Sequence, residues 1–421
     1  MNILKNEKMK KNVRCSIFIL IFSLSLINIS CNKENKANNT VEEPIVIPKG
    51  DVQIAVYYFP NWGPVYSSEW SVLKSAKPRF DGHQQPKVPM WGYENENDPI
   101  VMAKKIDTAS KYGVDAFIFD WYYYDEEASL YEDPALGQWD GSKYLYQALE
   151  NGFLKADNNS KLKFALMWCN HDVGTRAKGA VKLETFEKLM DYVIEKYFNH
   201  PSYWKINGCP YFSIYQMNTL LETCENDFTL LVEVINKFRE KVKAAGFPDL
   251  HLNGVLWGLR GELINENLEQ LNINSATSYV WIHHNALPDF PTTEYEKAAE
   301  TYFKTLKFGG GANGLEKPIS NMSTPYHINV TMGWDSSPRT RNAPDWMTRK
   351  DYPFGPVIIN NTPYFFKKYL AKAKGLTMEK PEDERIITIN SWNEWGEGSY
   401  LEPDNTTGYG YLEAIKEVFG D

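Results

Sequence analysis

The stretch RIITINSWNEWGEGSYLEP, residues 385–403, joins an uncharged apolar run to a segment of carboxylates, aromatic rings and glycines. The run at 386–390 has the composition of a strand that is buried on both faces, as strands of parallel sheets are. Glu394 and Glu397 follow directly and lie three residues apart. A buried strand that ends in paired carboxylates predicts a parallel α/β sheet with a functional site at its carboxyl edge.

Two carboxylates beside aromatic rings are the side chains that cleavage of a glycosidic bond requires. One donates a proton to the leaving oxygen, and the other stays ionised against the positive charge at the anomeric carbon. We expect Trp392 and Trp395 to offer flat apolar faces to the sugar. The alternative is that Glu394 and Glu397 complement the dipole of a following helix. Asn393 between the two large rings favours the catalytic interpretation, because a polar side chain there needs a polar partner.

The rest of the chain repeats a strand–helix alternation eight times. The predicted strands are 52–59, 114–121, 162–169, 211–215, 250–257, 275–279, 327–333 and 386–392, and the predicted helices are 99–112, 142–155, 182–198, 230–245, 262–271, 294–307, 363–374 and 409–419. Eight such units predict a single (β/α)8 TIM barrel, in the α/β class, with enlarged loops after the strands. A doubly wound open sheet is the alternative, but it usually has a glycine-rich turn after its first strand. Here that turn is YYFPNW, residues 57–62.

In a (β/α)8 barrel the active site lies at the carboxyl ends of the strands. Nearly every predicted strand end carries an aromatic residue, most with a polar neighbour, which favours a sugar-binding cleft. For Asp120, a buried structural role is an equal alternative to binding a sugar hydroxyl. For His171, the alternative to substrate contact is that it orients its neighbours. The predicted substrate-binding residues are Tyr58, Trp62, His83, Asp120, Trp121, Tyr122, Trp168, Asn170, His171, Trp334, Asn393 and Trp395, beside the predicted catalytic pair Glu394 and Glu397.

Composition argues against several other functions. The net charge of −9 disfavours nucleic acid as a partner. The sequence has no His-x-x-x-His pair and no clustered Asp/His set, so we predict no metal and no cofactor. Cys169, Cys209 and Cys224, an odd number without metal-ligand spacing, predict no disulfide framework.

The N-terminal segment predicts export. Residues 1–30 combine a basic start with an apolar run that is short for a bilayer span, which is typical of a signal peptide. Cys31 resembles the lipid-modified cysteine of bacterial lipoproteins, and an ordinary cleaved signal peptide is the alternative. Residues 31–50 predict a polar linker, and 51–421 the catalytic domain. We therefore expect a bacterial lipoprotein at the outer membrane, the cell surface or in the periplasm, held to the membrane by its lipid.

Several motifs resemble one family. WNEWGEG at 392–398, followed by LEP at 401–403 and GYGYL at 408–412, is similar to the WbsX-type proteins, which are also described as glycoside hydrolase family 99-like. IAVYYFP at 54–60 and GHQQP at 82–86 resemble the same group, and the similarity spans about residues 52–419. The resemblance implies a (β/α)8 barrel. Family 99 itself contains retaining endo-α-mannosidases and mannanases.

The resemblance also implies roles for the two glutamates. In family 99 the first takes the proton of the sugar's own 2-hydroxyl, which attacks the anomeric carbon and forms an anhydro-sugar. The second acts as acid and then as base. These roles fall on Glu394 and Glu397. Family 99 carries a histidine where this chain has Gly396, a departure toward the WbsX-like branch, many of whose members are labelled glycosyltransferases.

We therefore predict a glycoside hydrolase that cleaves α-linked oligo- or polysaccharides, α-mannosides among them, with retention. Export favours degradation, because a transferase that uses a nucleotide sugar would stay with its donor in the cytoplasm. Two alternatives remain. One is a WbsX-type glycosyltransferase of polysaccharide biosynthesis, for which the sequence offers no phosphate-binding motif. The other is a non-catalytic glycan-binding lipoprotein.

Overall fold

Eight parallel strands close into a barrel in the computed structural model. They are β1 (Gln53–Tyr58), β2 (Ala116–Tyr123), β3 (Lys163–Trp168), β4 (Cys209–Ile214), β5 (His251–Val255), β6 (Ser275–Thr277), β7 (Tyr326–Thr331) and β8 (Ile386–Asn390). Each strand pairs in parallel with the next, and β8 pairs with β1 to close the ring. The predicted (β/α)8 barrel is confirmed, and the open sheet is excluded.

The structure describes residues 43–63, 69–131, 139–257, 268–309, 318–344, 346 and 349–420. From Pro44 onward the chain forms one compact unit. Within the described ranges, no helix combines the length and the apolar character that crossing a membrane requires. The predicted signal peptide and Cys31 lie outside these ranges.

Helices follow the strands and cover the outside of the barrel. The α-helices of the described residues are α1 (Glu69–Lys74), α2 (Pro99–Lys111), α3 (Leu183–Val193), α4 (Met217–Thr223), α5 (Phe228–Ala244), α6 (Tyr295–Phe308), α7 (Pro363–Thr377) and α8 (Gly410–Phe419). Local signals start several of them. The Asp98 carboxylate accepts a hydrogen bond from the backbone N–H of Ile100 at the start of α2, and the Asp227 carboxylate caps α5 in the same way. These caps define the residues at which α2 and α5 begin.

Three predicted elements differ in the structure or lie partly outside the described residues. The predicted helix at 142–155 is reduced to a π-helical turn at Ala148–Gly152 and a 3-10 turn at Phe153–Lys155. A Cβ at Gly152 would lie 2.2 Å from the carbonyl oxygen of Glu96, so close packing against this loop replaces a regular helix. The sixth strand ends at Thr277 rather than at 279. Of the predicted helix at 262–271, residues 262–267 lie outside the described ranges and 268–271 form a turn.

Candidate active site

The segment after β8 forms a tight hairpin. Asn393–Glu394 pairs with Ser399–Tyr400 in antiparallel fashion, and a 3-10 turn at Trp395–Glu397 connects them. Gly398 closes the hairpin at a φ of 64°, and a Cβ there would lie 2.6 Å from the Cβ of Asp335. Both facts require glycine at this position. The next α-helix, α8, begins only at Gly410, so the two glutamates do not cap it.

Glu394 shares a tyrosine hydroxyl with a second carboxylate. The hydroxyl of Tyr279 lies 3.0 Å from Oε1 of Glu394 and 2.9 Å from Oδ2 of Asp120. Its single hydrogen can be donated to only one of them at a time. The other oxygen of each carboxylate is buried and has no hydrogen-bond partner among the described residues. Each carboxylate therefore keeps one acceptor oxygen without a hydrogen bond among the described residues.

Burial changes the acidity of both carboxylates. Burial, and then the negative charge of Glu397, raises the pKa of Glu394 well above its usual range, and Arg339 opposes the rise. Burial also raises the pKa of Asp120 well above its usual range, against the hydrogen bond from Tyr279. Close carboxylates in a low-dielectric site do not all ionise together. Burial and mutual repulsion therefore favour a proton on this group of carboxyls.

Glu397 lies in a different environment, although it belongs to the same hairpin. Its side chain is 14% exposed, and its Oε1 lies 3.5 Å from Nε of Arg339. The hydroxyl of Tyr352 donates to the same oxygen at 2.7 Å. Burial raises the pKa of Glu397, whereas the charge of Arg339 and the hydrogen bond from Tyr352 oppose the rise. This balance suits a carboxyl group that must both give and take a proton.

Gly396 makes room for the guanidinium that faces Glu397. A Cβ at this position would lie 3.2 Å from Nη2 of Arg339 and 3.2 Å from Oε2 of Glu69. Nη1 of Arg339 lies 3.1 Å and 3.3 Å from the two carboxylate oxygens of Glu69. The space that a side chain at position 396 would need is thus occupied by the Arg339–Glu69 ion pair.

The two tryptophans of the motif lie in the core, which corrects the prediction that their rings wall the carboxylates. Trp392 and Trp395 are fully buried, and their indole N–H groups donate to the two oxygens of Glu402 at 2.9 Å and 2.8 Å. Trp395 also stacks on Tyr400, with 3.7 Å between ring centroids. The rings anchor the hairpin from below and offer no face to a ligand.

Asn393 has the same supporting role. Its side-chain oxygen accepts from the backbone N–H of Phe59, and its amide donates to the Phe59 carbonyl and to Glu96. Lys105 lies 2.5 Å from both Glu96 and Glu402 and neutralises part of their charge. Burial raises the pKa of Glu96 to about 7, although Lys105 opposes the rise. One buried cation therefore ties the hairpin to the end of β1 and to α2.

Removing that cation is expected to destabilise the protein. Lys105→Met leaves Glu96 and Glu402 buried without a counter-charge, which typically costs about 3–5 kcal/mol. Lys104→Met is the matched control, because Lys104 is 39% exposed and pairs with Glu94 at the surface. We expect it to cost less than about 1 kcal/mol. Guanidinium denaturation followed by tryptophan fluorescence measures both, and equal losses in the two variants would contradict the assigned role of Lys105.

Four other predicted ligands are buried against neighbouring rings. Side chains alternate along a strand, so Asp120 and Trp121 point to opposite sides of β2. Trp121 packs on Tyr192 of α3, with 6.4 Å between ring centroids. The other three rings are also buried against a neighbouring ring. The distances between ring centroids are 4.6 Å for Tyr58 and Phe119, 5.1 Å for Trp168 and Phe186, and 4.2 Å for Trp62 and Trp70.

Asn170 and His83 support the site from a distance. The Asn170 amide is fully buried and pairs with the backbone N–H and carbonyl of Gln216, both at 2.8 Å. The Nδ1 of His83 accepts from the backbone of Arg79, which leaves Nε2 to donate to Asp335 at 2.8 Å. The backbone N–H of Asp335 in turn donates to the carbonyl of Glu397. These residues hold loops in place instead of facing a ligand.

Several predicted residues do meet around the carboxylates. The ring of His171 lies 5.8 Å from Tyr122 and 5.8 Å from Tyr215. Tyr215 lies 5.6 Å from Tyr279, which reaches Asp120 and Glu394. Trp334 lies 6.3 Å from Tyr352, the donor to Glu397. The structure therefore brings Glu394, Glu397, Asp120, Tyr122, His171 and Trp334 together at one end of the barrel.

The sequence-based prediction of the site omitted four contributors. Tyr279 lies two residues after the end of β6, where an aromatic residue was the available signal, and Arg339 lies on a 3-10 turn at Ser337–Thr340 in the loop after β7. Glu69 and Tyr352 lie on α1 and in a long loop, and no local pattern marks them. Their approach depends on how two distant loops fold over the barrel.

A (β/α)8 barrel with paired carboxylates after its last strand is the class that fold and site define. The chain belongs to the family described as Glycosyltransferase WbsX, whose model matches residues 60–415. It is similar to a protein named "Uncharacterized protein WxcX" from Xanthomonas campestris pv. campestris, with 24% identity over 407 residues that cover 91% of this chain and 51% of that protein. The chain therefore spans about half the length of the curated relatives it matches.

Two solved structures share the fold. A "Glycoside hydrolase-like protein" superposes with a TM-score of 0.56 at 14% identity and covers 90% of this chain and 97% of its own. The GH99 endo-α-mannosidase from Bacteroides thetaiotaomicron gives 0.53 at 17% identity, over 88% of this chain and 97% of that chain. At these identities the likeness establishes the barrel fold alone.

Proposed function

We propose that this protein is a glycoside hydrolase that cleaves α-linked glycans, α-mannosides among them, with retention of configuration. The observation that carries the proposal is the contrast between two neighbouring carboxyls. Glu394 is buried beside Asp120 and Tyr279, whereas Glu397 is held by Tyr352 and Arg339. Environments that separate the behaviour of two acids are typical of glycosidase pairs. Likeness to a barrel named as an endo-α-mannosidase supports the choice of bond.

The geometry suggests how the first step proceeds. Glu394, as a carboxylate, takes the proton of the sugar's 2-hydroxyl while that oxygen attacks the anomeric carbon. As Glu394 becomes protonated, the hydroxyl of Tyr279 turns its hydrogen bond to Asp120, the other acceptor within reach. Glu397 gives its proton to the leaving oxygen, so the bond breaks without expelling an alkoxide.

The second step reverses these proton transfers. Glu397, now ionised, takes a proton from water, and the water oxygen opens the anhydro-sugar at the anomeric carbon. Glu394 returns its proton to the 2-oxygen. Two displacements at one carbon give net retention. Proposed export with a lipid on Cys31 would place such a hydrolase beside extracellular glycans.

Removing the guanidinium beside Glu397 is expected to move the pH profile. Arg339→Gln takes away the charge that lowers the pKa of Glu397, so the pKa rises and the acid form persists to higher pH. The alkaline limb of kcat/KM therefore shifts to higher pH, measured from pH 4 to 10. The other groups that act electrostatically on or with Glu397 are Glu69, Glu394, Asp120, Tyr215, Tyr279 and Tyr352. Arg341→Gln is the matched control, and a shift in the opposite direction would contradict the role of Glu397 as acid.

Incubation with defined glycans tests the proposal. The purified protein is mixed with α-mannans and with host-type glycans, products are separated by chromatography, and NMR identifies the first-formed anomer. We expect hydrolysis with a retained α-anomer. The family's description favours a second candidate, a glycosyltransferase. Release of a nucleoside diphosphate from nucleotide-sugar donors, without glycan cleavage, would support that candidate. Binding without either reaction would support a glycan-binding protein.

A further inference from the structure

A cavity of about 520 Å³ opens beside the Glu397 end of the site. It is formed between residues 282–290, which follow β6, and residues 334–336 and 350–356, which follow β7. Leu287, Phe290, Trp334 and Tyr352 provide apolar and aromatic walls, and Asp289 and Lys350 provide one charge of each sign. The volume falls within the range of about 300–1,000 Å³ that is usual for small-ligand sites.

The cavity is built by tertiary structure rather than by one loose loop. Thr292–Glu294 pairs in parallel with Val357–Ile359, which ties the two loops together at their bases. Beneath the cavity, Trp346, Phe354 and Val357 form a small hydrophobic cluster of their own, against which Phe290 packs. The rings of Phe290 and Trp346 stack with 5.6 Å between centroids. The wall positions are therefore set before any ligand arrives.

Tyr352 connects the cavity to the chemistry. Its ring is part of the cavity wall, and its hydroxyl donates to Oε1 of Glu397 at 2.7 Å. Glu394 contacts a different group. The hydroxyl of Tyr279, which follows β6, lies within hydrogen-bond distance of Glu394 and of Asp120 on β2. In a glycosidase the acid stands beside the oxygen that leaves, so the leaving part of the glycan lies on the acid's side.

We infer that this cavity binds the leaving-group sugar of the glycan, with its C–H face against the aromatic walls and its hydroxyls toward Asp289 and Lys350. The inference rests on the proposed function, because it takes Glu397 to be the acid. Asp289 is paired with Lys297 at 2.6 Å, so a sugar hydroxyl at Asp289 would bind beside an existing ion pair, and Lys350 is the second charged side chain of the lining.

Filling the cavity separates this inference from the proposed function. Ala286 is exposed and lines the cavity, so Ala286→Trp fills it without entering the core, and Leu287→Trp is a second variant with the same aim. Two substrates are compared: an α-mannan oligosaccharide, whose leaving group is a sugar, and α-mannobiosyl fluoride, whose leaving group is a fluoride ion. Ala244→Trp, at an exposed position on α5, is the matched control.

We expect both filling variants to lower kcat/KM for the oligosaccharide by about tenfold or more, and to leave fluoride cleavage within about twofold of the wild type. Equal loss on both substrates, or no loss on either, would overturn the inference while leaving the proposed function intact. If the wild type cleaves neither substrate, the proposed function fails and the inference fails with it.

Discussion

Glu397→Gln is expected to lower kcat for an α-mannan oligosaccharide by about 10³-fold, within the range of general acid catalysis. A glutamine amide cannot donate the proton that the leaving oxygen requires. First-turnover release of fluoride from α-mannobiosyl fluoride should fall far less, because fluoride leaves without protonation, whereas the later opening of the anhydro-sugar still needs Glu397 as base. The contrast between the two substrates is the informative measurement, since a folding defect would lower both alike.

Glu413→Gln on α8 is the matched control for this prediction, because it makes the same chemical change at an exposed position. We expect wild-type rates from it on both substrates. If Glu397→Gln cleaves the oligosaccharide as fast as the control does, the assignment of the acid is wrong. If first-turnover fluoride release falls as far as oligosaccharide cleavage does, Glu397 has a role other than protonation of the leaving oxygen.

Glu394→Gln is expected to abolish cleavage of both substrates, with a fall of about 10³-fold or more in each. The sugar's 2-hydroxyl must lose its proton whichever group leaves, so a better leaving group does not restore the rate. A substrate with a 2-O-methyl group in place of the reacting hydroxyl should also resist the wild-type enzyme. These two results together would identify the 2-hydroxyl as the nucleophile.

The competing mechanism makes a different prediction. If Glu394 attacked the anomeric carbon directly, a 2-deoxy-2-fluoro glycosyl fluoride would leave a stable ester on its carboxylate, detectable by intact-protein mass spectrometry. We expect no such adduct. Buried acceptor oxygens on Glu394 and Asp120 without a partner among the described residues are consistent with a carboxyl group that receives a hydroxyl proton.

Glu394 is also expected to set the acid limb of the pH profile. The pKa of Glu394 is raised further than that of Glu397, so the reactive state, with Glu394 ionised and Glu397 protonated, is the less populated of the two one-proton states and forms only between the two titrations. Because Asp120 and Glu397 titrate in the same site, the apparent pKa belongs to the group of carboxyls rather than to Glu394 alone. The single-variant pH profiles must therefore be compared as a set.

The sequence alone was sufficient for the fold. Eight apolar runs separated by amphipathic segments need cover on both faces, and a closed barrel surrounded by helices provides it. The run at 386–390 became β8 as predicted, and the carboxylate pair follows it directly. Both results depend on local sequence patterns, which do not change with the way distant parts of the chain fold.

The lining of the site was decided by tertiary structure, and here the aromatic predictions were partly wrong. Trp121 and Trp168 stand at strand ends, but strand alternation turns their rings toward α3, while Asp120 remains inside. The period of two was visible in the sequence, so this error was avoidable. Trp392 and Trp395 gave no such signal. Their indole N–H groups donate to the buried carboxylate of Glu402, and that carboxylate pairs with Lys105 on the distant helix α2.

By itself, then, the sequence determined a closed (β/α)8 barrel and the position of two glutamates after its last strand, since both follow from hydrophobic periodicity and adjacency along the chain. Only the tertiary structure decided which groups surround them. Tyr279, Tyr352 and the Arg339–Glu69 pair come from separate loops and helices. Their effect on the two carboxyls depends on distance and burial, and neither is encoded in the residues next to Glu394 and Glu397.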